Sequence, residues 1–415
     1  MATDKIKRLR GFKDITPEES YKWQHAESVI ADVFKRYNYK EIRVPILELG
    51  ALFQRSIGEV TDIVQKEMYI FEDRHGDRVA MRPEGTAPVV RAYIENNLCY
   101  PPAVKKLCYF GPMFRYERPQ AGRLRQFHQA GAEVFGSNEP YIDAEVISML
   151  YRILIELKVS QLAVKINSVG CAECRPNYLE YLKDFFAKNS EGFCELCIQR
   201  MKVNPLRVLD CKNSDCKKLL TDVEGTYQHL CTDCDTHFQE VTSTLDTFDI
   251  PYTVDKFLVR GLDYYTKTAF EITSSALGSQ DAVAGGGRYD KLVEELGGPK
   301  TESVGFAIGM ERLIMLLPDD LQPTRPDVYV AAVGEGTKQS AIKLLDSLRK
   351  EGFIAEANFK DSFKSALKKA SKGRYRFCCI IGEEEAQNGT VMLKDLDKGE
   401  QQNLPNDISQ IKPHL

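Results

Sequence analysis

The chain has 415 residues, 43% of them hydrophobic and 28% charged, with a formal net charge of −4. That is more chain than one ordinary core accommodates, and enough apolar content for two or three globular domains. Low-complexity and membrane-spanning classes are excluded, since no stretch approaches the roughly 18 apolar residues of a membrane helix.

The opening MATDKIKRLRGF carries basic residues with no apolar block behind them. Neither secretion nor membrane anchoring is expected, and the cytoplasm is. Thr16-Pro17-Glu18-Glu19 reads as a capping box with proline at the first helical position. Behind it Trp23, Ala26, Ile30, Val33, Phe34 and Tyr37 recur at helical spacing, which predicts an amphipathic helix ending near Tyr37. Residues 39–44 read as a strand stopped by Pro45. Further strands are expected at 79–81, 107–116, 126–135 and 164–167, the second and third forming a long antiparallel hairpin, with a helix at 141–157.

From residue 170 the character changes. Eight of the 12 cysteines fall between 171 and 234 as four close pairs: Cys171 with Cys174, Cys194 with Cys197, Cys211 with Cys216, and Cys231 with Cys234. Three pairs have C-x-x-C spacing, and His229 and His237 flank the last. In a chain without a secretion signal such pairing favours structural Zn²⁺ over disulfides, with reduced, unligated thiols as the alternative. Residues 170–242 thus read as a small helical Cys-rich insertion within a catalytic domain whose parts are 1–169 and 243–322. Strands resume at 253–259, 269–273 and 281–284, and a last helix is expected to begin near Phe306. Pro318, Pro323 and Pro326 mark a linker. Residues 327–415 then alternate strand and helix, as in a small α/β domain with a mostly parallel sheet.

Two local basic runs stand out against the slight negative balance. Residues 101–130 hold Lys105, Lys106, Arg115, Arg118, Arg123 and Arg125 against Glu117 alone. Residues 360–376 hold Lys360, Lys364, Lys368, Lys369, Lys372, Arg374 and Arg376 against Asp361. Taken singly, each run reads as a solvated face.

The stretch FRYERPQAGRLRQFHQAGAEVFG, residues 114–136, carries more information. Arg115 on a rigid strand offers a planar, permanently charged fork for a phosphate oxygen. Glu117, expected on the same side of that strand, can accept from an exocyclic amine, and Phe127 on the returning strand can stack on a base. Arg118, Pro119, Gln120 and Arg123 occupy the turn. RPEGT, residues 82–86, places Glu84, Gly85 and Thr86 after a strand end, where a carboxylate and a hydroxyl can receive a substrate ammonium.

The hairpin pattern F-R-x-E-R-P-Q-x-G-R-x-R-x-F-H-Q resembles motif 2 of the class II aminoacyl-tRNA synthetases in its histidyl form. YNYKEIRVPILE resembles motif 1, whose proline, here Pro45, lies at the dimer interface in that family. VGFAIGMERL, residues 304–313, resembles motif 3, a strand and helix that present Arg312 to ATP. VRGLDYYTKTAFE (259–271) and AGGGRYD (284–290) resemble the two signatures peculiar to histidyl enzymes. The resemblance covers essentially the whole chain. It implies an α+β catalytic domain with an antiparallel sheet flanked by helices, plus a C-terminal α/β anticodon-binding domain.

The implied activity is ATP-dependent activation of L-histidine and its transfer to the 3′ end of tRNA(His) by a homodimer, with Mg²⁺ accompanying ATP. Carried over by position, Glu84, Gly85, Thr86, Arg115, Gln129, Glu133, Arg260, Tyr264, Tyr265 and Tyr289 would contact histidine, Arg260 and Arg115 being catalytic. Arg115, Glu117, Arg123, Phe127 and Arg312 would hold ATP. Arg118 and Gln120 would meet the tRNA acceptor end, and the C-terminal basic helix the anticodon stem. Relatives commonly keep the insertion without its paired cysteines, so the resemblance itself does not require a metal there. A catalytically silent regulatory subunit of ATP phosphoribosyltransferase is the alternative within the fold, and a zinc-bearing RNA-binding module the one outside it. The intact Arg115, Arg260 and Arg312 weigh against the first. RPEGT and VRGLDYY, which RNA binding alone does not need, weigh against the second.

Overall fold

The N-terminal helix runs Pro17–Arg36 and buries Trp23, Ala26, Ile30, Val33 and Phe34, the face that the 3.6-residue periodicity marks. Glu18 and Glu19 in its first turn and Lys35 and Arg36 in its last complement the helix dipole. The expected capping box is not formed, because Thr16 makes no side-chain cap. Its hydroxyl bonds the Glu18 side chain instead, and Glu19 is drawn away to Lys13 at 2.9 Å. The computed structural model describes residues 6–57, 61, 63–189, 191–211, 213–259, 264–359 and 362–415. Its contacts divide the chain into two units, Met1–Asp319 and Asp320–Leu415.

The first unit contains strands β1 (Lys40–Glu41), β2 (Leu47–Leu49), β3 (Tyr69–Glu72), β4 (Arg78–Met81), β5 (Lys105–Phe114), β6 (Gln126–Phe135), β7 (Leu162–Ser168), β8 (Tyr252–Val254), β9 (Thr266–Ser274), β10 (Ala282–Arg288) and β11 (Ser303–Gly309). Eight of them make one sheet in the order β1-β5-β6-β11-β10-β9-β7-β8. Its six inner strands are antiparallel. The outer pairs β1/β5 and β7/β8 are parallel. The β5–β6 hairpin follows the sequence closely, with Lys105 opposite Phe135 and Phe114 opposite Gln126.

Three expectations need correction. Residues 303–309 form a strand, and the helix that follows is only Met310–Met315. β11 lies between β6 and β10 in mid-sheet, and its residues from Ser303 to Phe306 are all buried, so it lacks the alternation that identifies a strand. The strands expected at 39–44 and 253–259 shrink to β1 and β8, each at a sheet edge with one partner. A separate three-stranded sheet, β2-β4-β3, was not legible as a sheet.

The helix Pro140–Glu156 packs behind the large sheet and buries Asp143 completely. Asp143 accepts from Arg288 of β10 at 2.5 Å and from Thr268 of β9 at 2.6 Å, and it meets His237 of the helix Thr232–Thr247 at 2.8 Å. Burial alone would raise this carboxyl, but the Arg288 guanidinium and the His237 bond outweigh it and hold it down at about 2. The cysteine-bearing segment adds the helices Cys174–Lys188, Glu195–Val203 and Ser214–Leu219. They enclose a small core of its own around Tyr178, Leu182, Phe186, Phe193, Val208 and Leu220.

The second unit is an α/β layer. Strands β12 (Val328–Ala332), β13 (Ala355–Asn358), β14 (Phe377–Ile381), β15 (Thr390–Asp395) and β16 (Gln401–Pro405) lie in the order β13-β12-β14-β15-β16. The first three are mutually parallel and the last two antiparallel. The sheet is therefore evenly mixed rather than mostly parallel, because β16, polar at an edge, carries no apolar pattern to announce it. The helices Lys338–Lys350 and Phe363–Lys372 flank it. On the latter, Ala366 and Ala370 are buried while Lys364, Lys368, Lys369 and Lys372 are exposed.

Candidate active site

A cavity of about 910 Å³ opens over the inner strands of the large sheet, within the size range of small-molecule sites. Behind its lining lies Glu133 of β6, fully buried and bonded to the lining residues Thr86 and Tyr289. Thr86 donates its hydroxyl to Glu133 Oε1 at 2.8 Å, Tyr289 donates to Oε2 at 2.5 Å, and Tyr109 donates to Oε1 at 3.4 Å. Burial pushes the carboxyl up to about 8 against the opposing pull of the Tyr289 and Thr86 bonds. A Cβ on Gly305 would overlap Glu133 Oε2, and one on Gly85 would overlap the Tyr109 ring. Glycine at these two places is therefore what lets backbone and buried side chains approach so closely.

Glu84, Thr86, Gln129, Tyr264, Tyr265 and Tyr289 line the same end of the cavity. The Glu84 carboxylate accepts from the amides of Thr86 at 2.6 Å and Ala87 at 2.9 Å, so it caps the helix Thr86–Glu95. The Oε1 atom of Gln129 is buried and has no hydrogen-bond partner among the described residues. The Tyr264 ring lies 4.7 Å from that of Tyr265 and 5.7 Å from that of Tyr289. Arg260 lies outside the described residues.

Arg115, Glu117, Arg123, Phe127 and Arg312 line the adjoining part. Arg115 donates to the Pro83 carbonyl at 2.8 Å and stands 5.1 Å from the Phe127 ring centroid. β5 ends at Phe114, so Glu117 does not share a strand face with Arg115. A turn brings it in instead, its amide donating to the Arg115 carbonyl at 2.8 Å. Arg123 pairs with Glu117 at 3.6 Å. Arg312 donates to the Ala282 carbonyl at 2.6 Å, and burial, with the Arg123 charge nearby, lowers its proton affinity. Three guanidinium groups thus line one cleft and give it a positive potential. Arg118 and Gln120 sit exposed on the turn, where Gln120 and Arg123 pair backbone to backbone.

Sequence reasoning missed several groups at the site. Glu311 accepts the His128 amide at 2.9 Å and meets that ring at 3.0 Å, tying β6 to the helix that carries Arg312. Tyr109 read as an ordinary strand aromatic. Lys165, Asp255 and Asp281 also line the cavity and lie in no run that marked them as functional, whereas Glu271, which lines it too, closes the marked segment 259–271.

The cysteines gather as two groups of four: Cys171, Cys174, Cys231 and Cys234, and Cys194, Cys197, Cys211 and Cys216, each with its sulfurs within 4.8 Å of one another. Cys171 lies 3.8 Å from both Cys174 and Cys231, and Cys194 lies 3.9 Å from Cys211. A disulfide needs about 2.05 Å, whereas a tetrahedral ion bound at about 2.3 Å sets its sulfurs about 3.8 Å apart. The residues therefore fit a metal. His229 and His237 belong to neither group, being engaged by Glu224 at 2.6 Å and Asp143 at 2.8 Å.

An antiparallel sheet with flanking helices, bearing arginines on its hairpin and on its last strand–helix unit, defines a class II aminoacyl-tRNA synthetase. The family model described as Histidyl-tRNA synthetase matches residues 11–313, and that described as Anticodon binding domain matches 327–408. A histidine–tRNA ligase of Maridesulfovibrio salexigens is 50% identical over 96% of this chain and 97% of its own length. One of Natranaerobius thermophilus is 48% identical over 96% of each. The crystal structure of the apo histidyl-tRNA synthetase of S. aureus superposes with a TM-score of 0.82 at 35% identity, covering 98% of both chains. The chain belongs to the histidyl-tRNA synthetase family. Its reaction is the ATP-dependent attachment of histidine to tRNA, and the regulatory-subunit alternative falls away. Among the described residues no helix is long and apolar enough to cross a membrane.

Proposed function

We propose that the cavity holds histidine and ATP side by side and that its residues divide the work as follows. Glu84, Thr86 and Gln129 receive the histidine ammonium, with the Gly85 backbone beside them. Glu133 and the hydroxyls of Tyr264, Tyr265 and Tyr289 read the imidazole. Glu117 accepts the adenine amine and Phe127 stacks on the base. Arg115, joined by Arg260, neutralises the histidine carboxylate and the α-phosphate, while Arg123 and Arg312 hold the β and γ phosphates. The carboxylate attacks the α-phosphorus in line and pyrophosphate leaves, so catalysis rests on positioning and on preorganised positive charge. Mg²⁺ bound with ATP supplies further neutralisation of the phosphates, and Glu271 and Asp281 offer carboxylate oxygens beside Arg312 that suit it.

The observation that carries this reading is the shared lining: Arg115, Arg123 and Arg312, distant in sequence, open onto one cleft beside the buried Glu133. Histidine-dependent exchange of pyrophosphate into ATP tests it. Arg312→Ala is expected to lower the exchange rate by about 100-fold or more, in line with loss of a charge matched to the transition state. An unchanged rate overturns the assignment.

The same reading extends to the partners. The 3′ end of tRNA(His) meets Arg118 and Gln120, and the exposed lysines of Phe363–Lys372 with Arg374 face the anticodon stem through phosphates. The protein works in the cytoplasm as a homodimer, built on the segment around Pro45 where Ile46, Leu47 and Leu49 are exposed. Sedimentation of a single-chain species would refute the dimer. The cysteine groups hold structural Zn²⁺.

A further inference from the structure

We propose that the two cysteine groups are separate tetrathiolate zinc centres with different tasks: an outer one that clamps the root of the inserted segment, and an inner one that holds a wall of the substrate cavity. The proposal rests on the reading that these cysteines hold zinc. The ligand order is nested. The first and last pairs make the outer centre and the two middle pairs the inner one, a connectivity the spacing alone leaves open.

The outer centre joins the start of Cys174–Lys188 to the first turn of Thr232–Thr247. These are the points where the segment departs from β7 and where its last helix begins. Beside it Arg175 donates to the Tyr265 carbonyl at 2.5 Å, so the clamp also touches the backbone of a cavity residue. Amides already point at its sulfurs, Cys171 N–H to Cys174 Sγ at 3.1 Å and Glu173 N–H to Cys171 Sγ at 3.3 Å. Such donors stabilise thiolate charge, as metal-bound sulfurs require.

The inner centre sits elsewhere. Cys194 precedes the helix Glu195–Val203, Cys197 lies in its first turn, and Cys211 and Cys216 flank the start of Ser214–Leu219. The Cys194 amide donates to Cys216 Sγ at 3.3 Å. Between and beside these ligands, Leu209, Asp210, Lys217 and Leu220 line the cavity, as Cys211 itself does. Lys165 and Asp255 line it too and lie 3.8 Å apart. Lys165 is directly opposite Glu271 across β7 and β9, and the Glu271 charge acts on Arg312. Paired positions on antiparallel strands point to the same face, so this wall belongs to the polyphosphate side of the cleft and brings Lys217 to it. A core as small as the one around Tyr178 and Phe186 holds such a wall firmly only with a cross-link of this kind.

Metal content and kinetics on the whole chain test the proposal. Freshly purified protein is expected to carry two zinc ions, and Co²⁺ substitution of the wild type to saturate its thiolate charge-transfer bands at two equivalents. The Co²⁺ measurement needs no variant to fold. Cys216→Ser is expected to retain one zinc and to raise the KM for ATP in pyrophosphate exchange about fivefold or more, with a smaller change in kcat. Cys171→Ser is expected to retain one zinc and to speed proteolytic cleavage within residues 175–230. Less than one zinc per chain, with no cobalt bands, sinks the zinc reading itself. Two zincs of which both vanish with either substitution, or a Cys216→Ser protein with one zinc and an unaltered KM for ATP, keeps that reading and overturns the division of tasks.

Discussion

Tyr289 and Glu133 share a hydrogen bond of 2.5 Å at the floor of the cavity, between two side chains no more than 1% exposed. The tyrosine donates to Oε2, while Thr86 and Tyr109 donate to Oε1. Tyr289→Phe keeps the ring and removes the donor, leaving a buried acceptor one partner short, a loss of about 1–3 kcal/mol. The KM for histidine is expected to rise about tenfold to a hundredfold, with a much smaller effect on ATP. Equal losses for both substrates would mean that Tyr289 serves packing alone.

Glu133 itself makes stability and binding oppose each other. Its folded carboxyl stands at about 8, above the ordinary 4.5. The stability it contributes is therefore complete below about pH 4.5 and lost as pH rises through 8. Glu133→Gln removes that buried charge. The variant is expected to melt several degrees higher than the parent at pH 8.5, with the difference vanishing near pH 4.5, while histidine activation collapses. Parallel melting curves at both pH values would show that the carboxyl is not the source.

Gly305→Ala adds one methyl group where the Glu133 carboxylate already lies. Neither β11 nor β6 can yield, since each is paired on both sides. Activity is expected to fall by about 100-fold or more in a protein that still folds, because displacing a substrate-positioning group by about 1 Å has that scale of effect. A near-normal exchange rate would count against Glu133 as the reader of the imidazole.

Asp143→Ala removes one half of the buried Asp143–Arg288 pair and leaves the guanidinium with the Asp290 carboxylate at 3.2 Å. Breaking one side of such a pair destabilises by about 3–5 kcal/mol, and thermal melting should drop by about 10 °C. The Asp143 carboxyl is depressed from 3.8 to about 2, so its contribution is present above pH 4 and is lost only as pH falls through 2. A wild-type protein that loses this stability already near pH 5 would contradict the geometry.

The sequence exposed some parts of this molecule and hid others for physical reasons. The β5–β6 hairpin was legible because its strands are long and meet at a turn rich in proline, glycine and arginine. The Pro17–Arg36 helix was legible because one face is apolar. The residue pattern alone placed a helix at β11, because a strand buried on both faces has no alternation, whereas the likeness to motif 3 implied the strand and helix that are found. At the site, the cavity-lining arginines stand in motifs that marked them, whereas Lys165, Asp255 and Asp281 come from strands and loops without a local signal. The grouping of the cysteines depends on how the helices of the insertion pack, and pair spacing carries no information about that.

The parallel pairing of β7 with β8 has its own consequence. Val164 lies opposite Tyr252 and Ile166 opposite Val254, so the chain must cross over between these strands whatever it carries on the way. A crossover of about a dozen residues would satisfy the sheet, and lengthening a closed loop adds only a slowly growing entropic cost. The whole thiol-bearing body can thus be enlarged, trimmed or stripped of its sulfur during evolution without moving the strands that carry Glu133. Lineages are free to remodel the rim of this pocket while inheriting its floor unaltered.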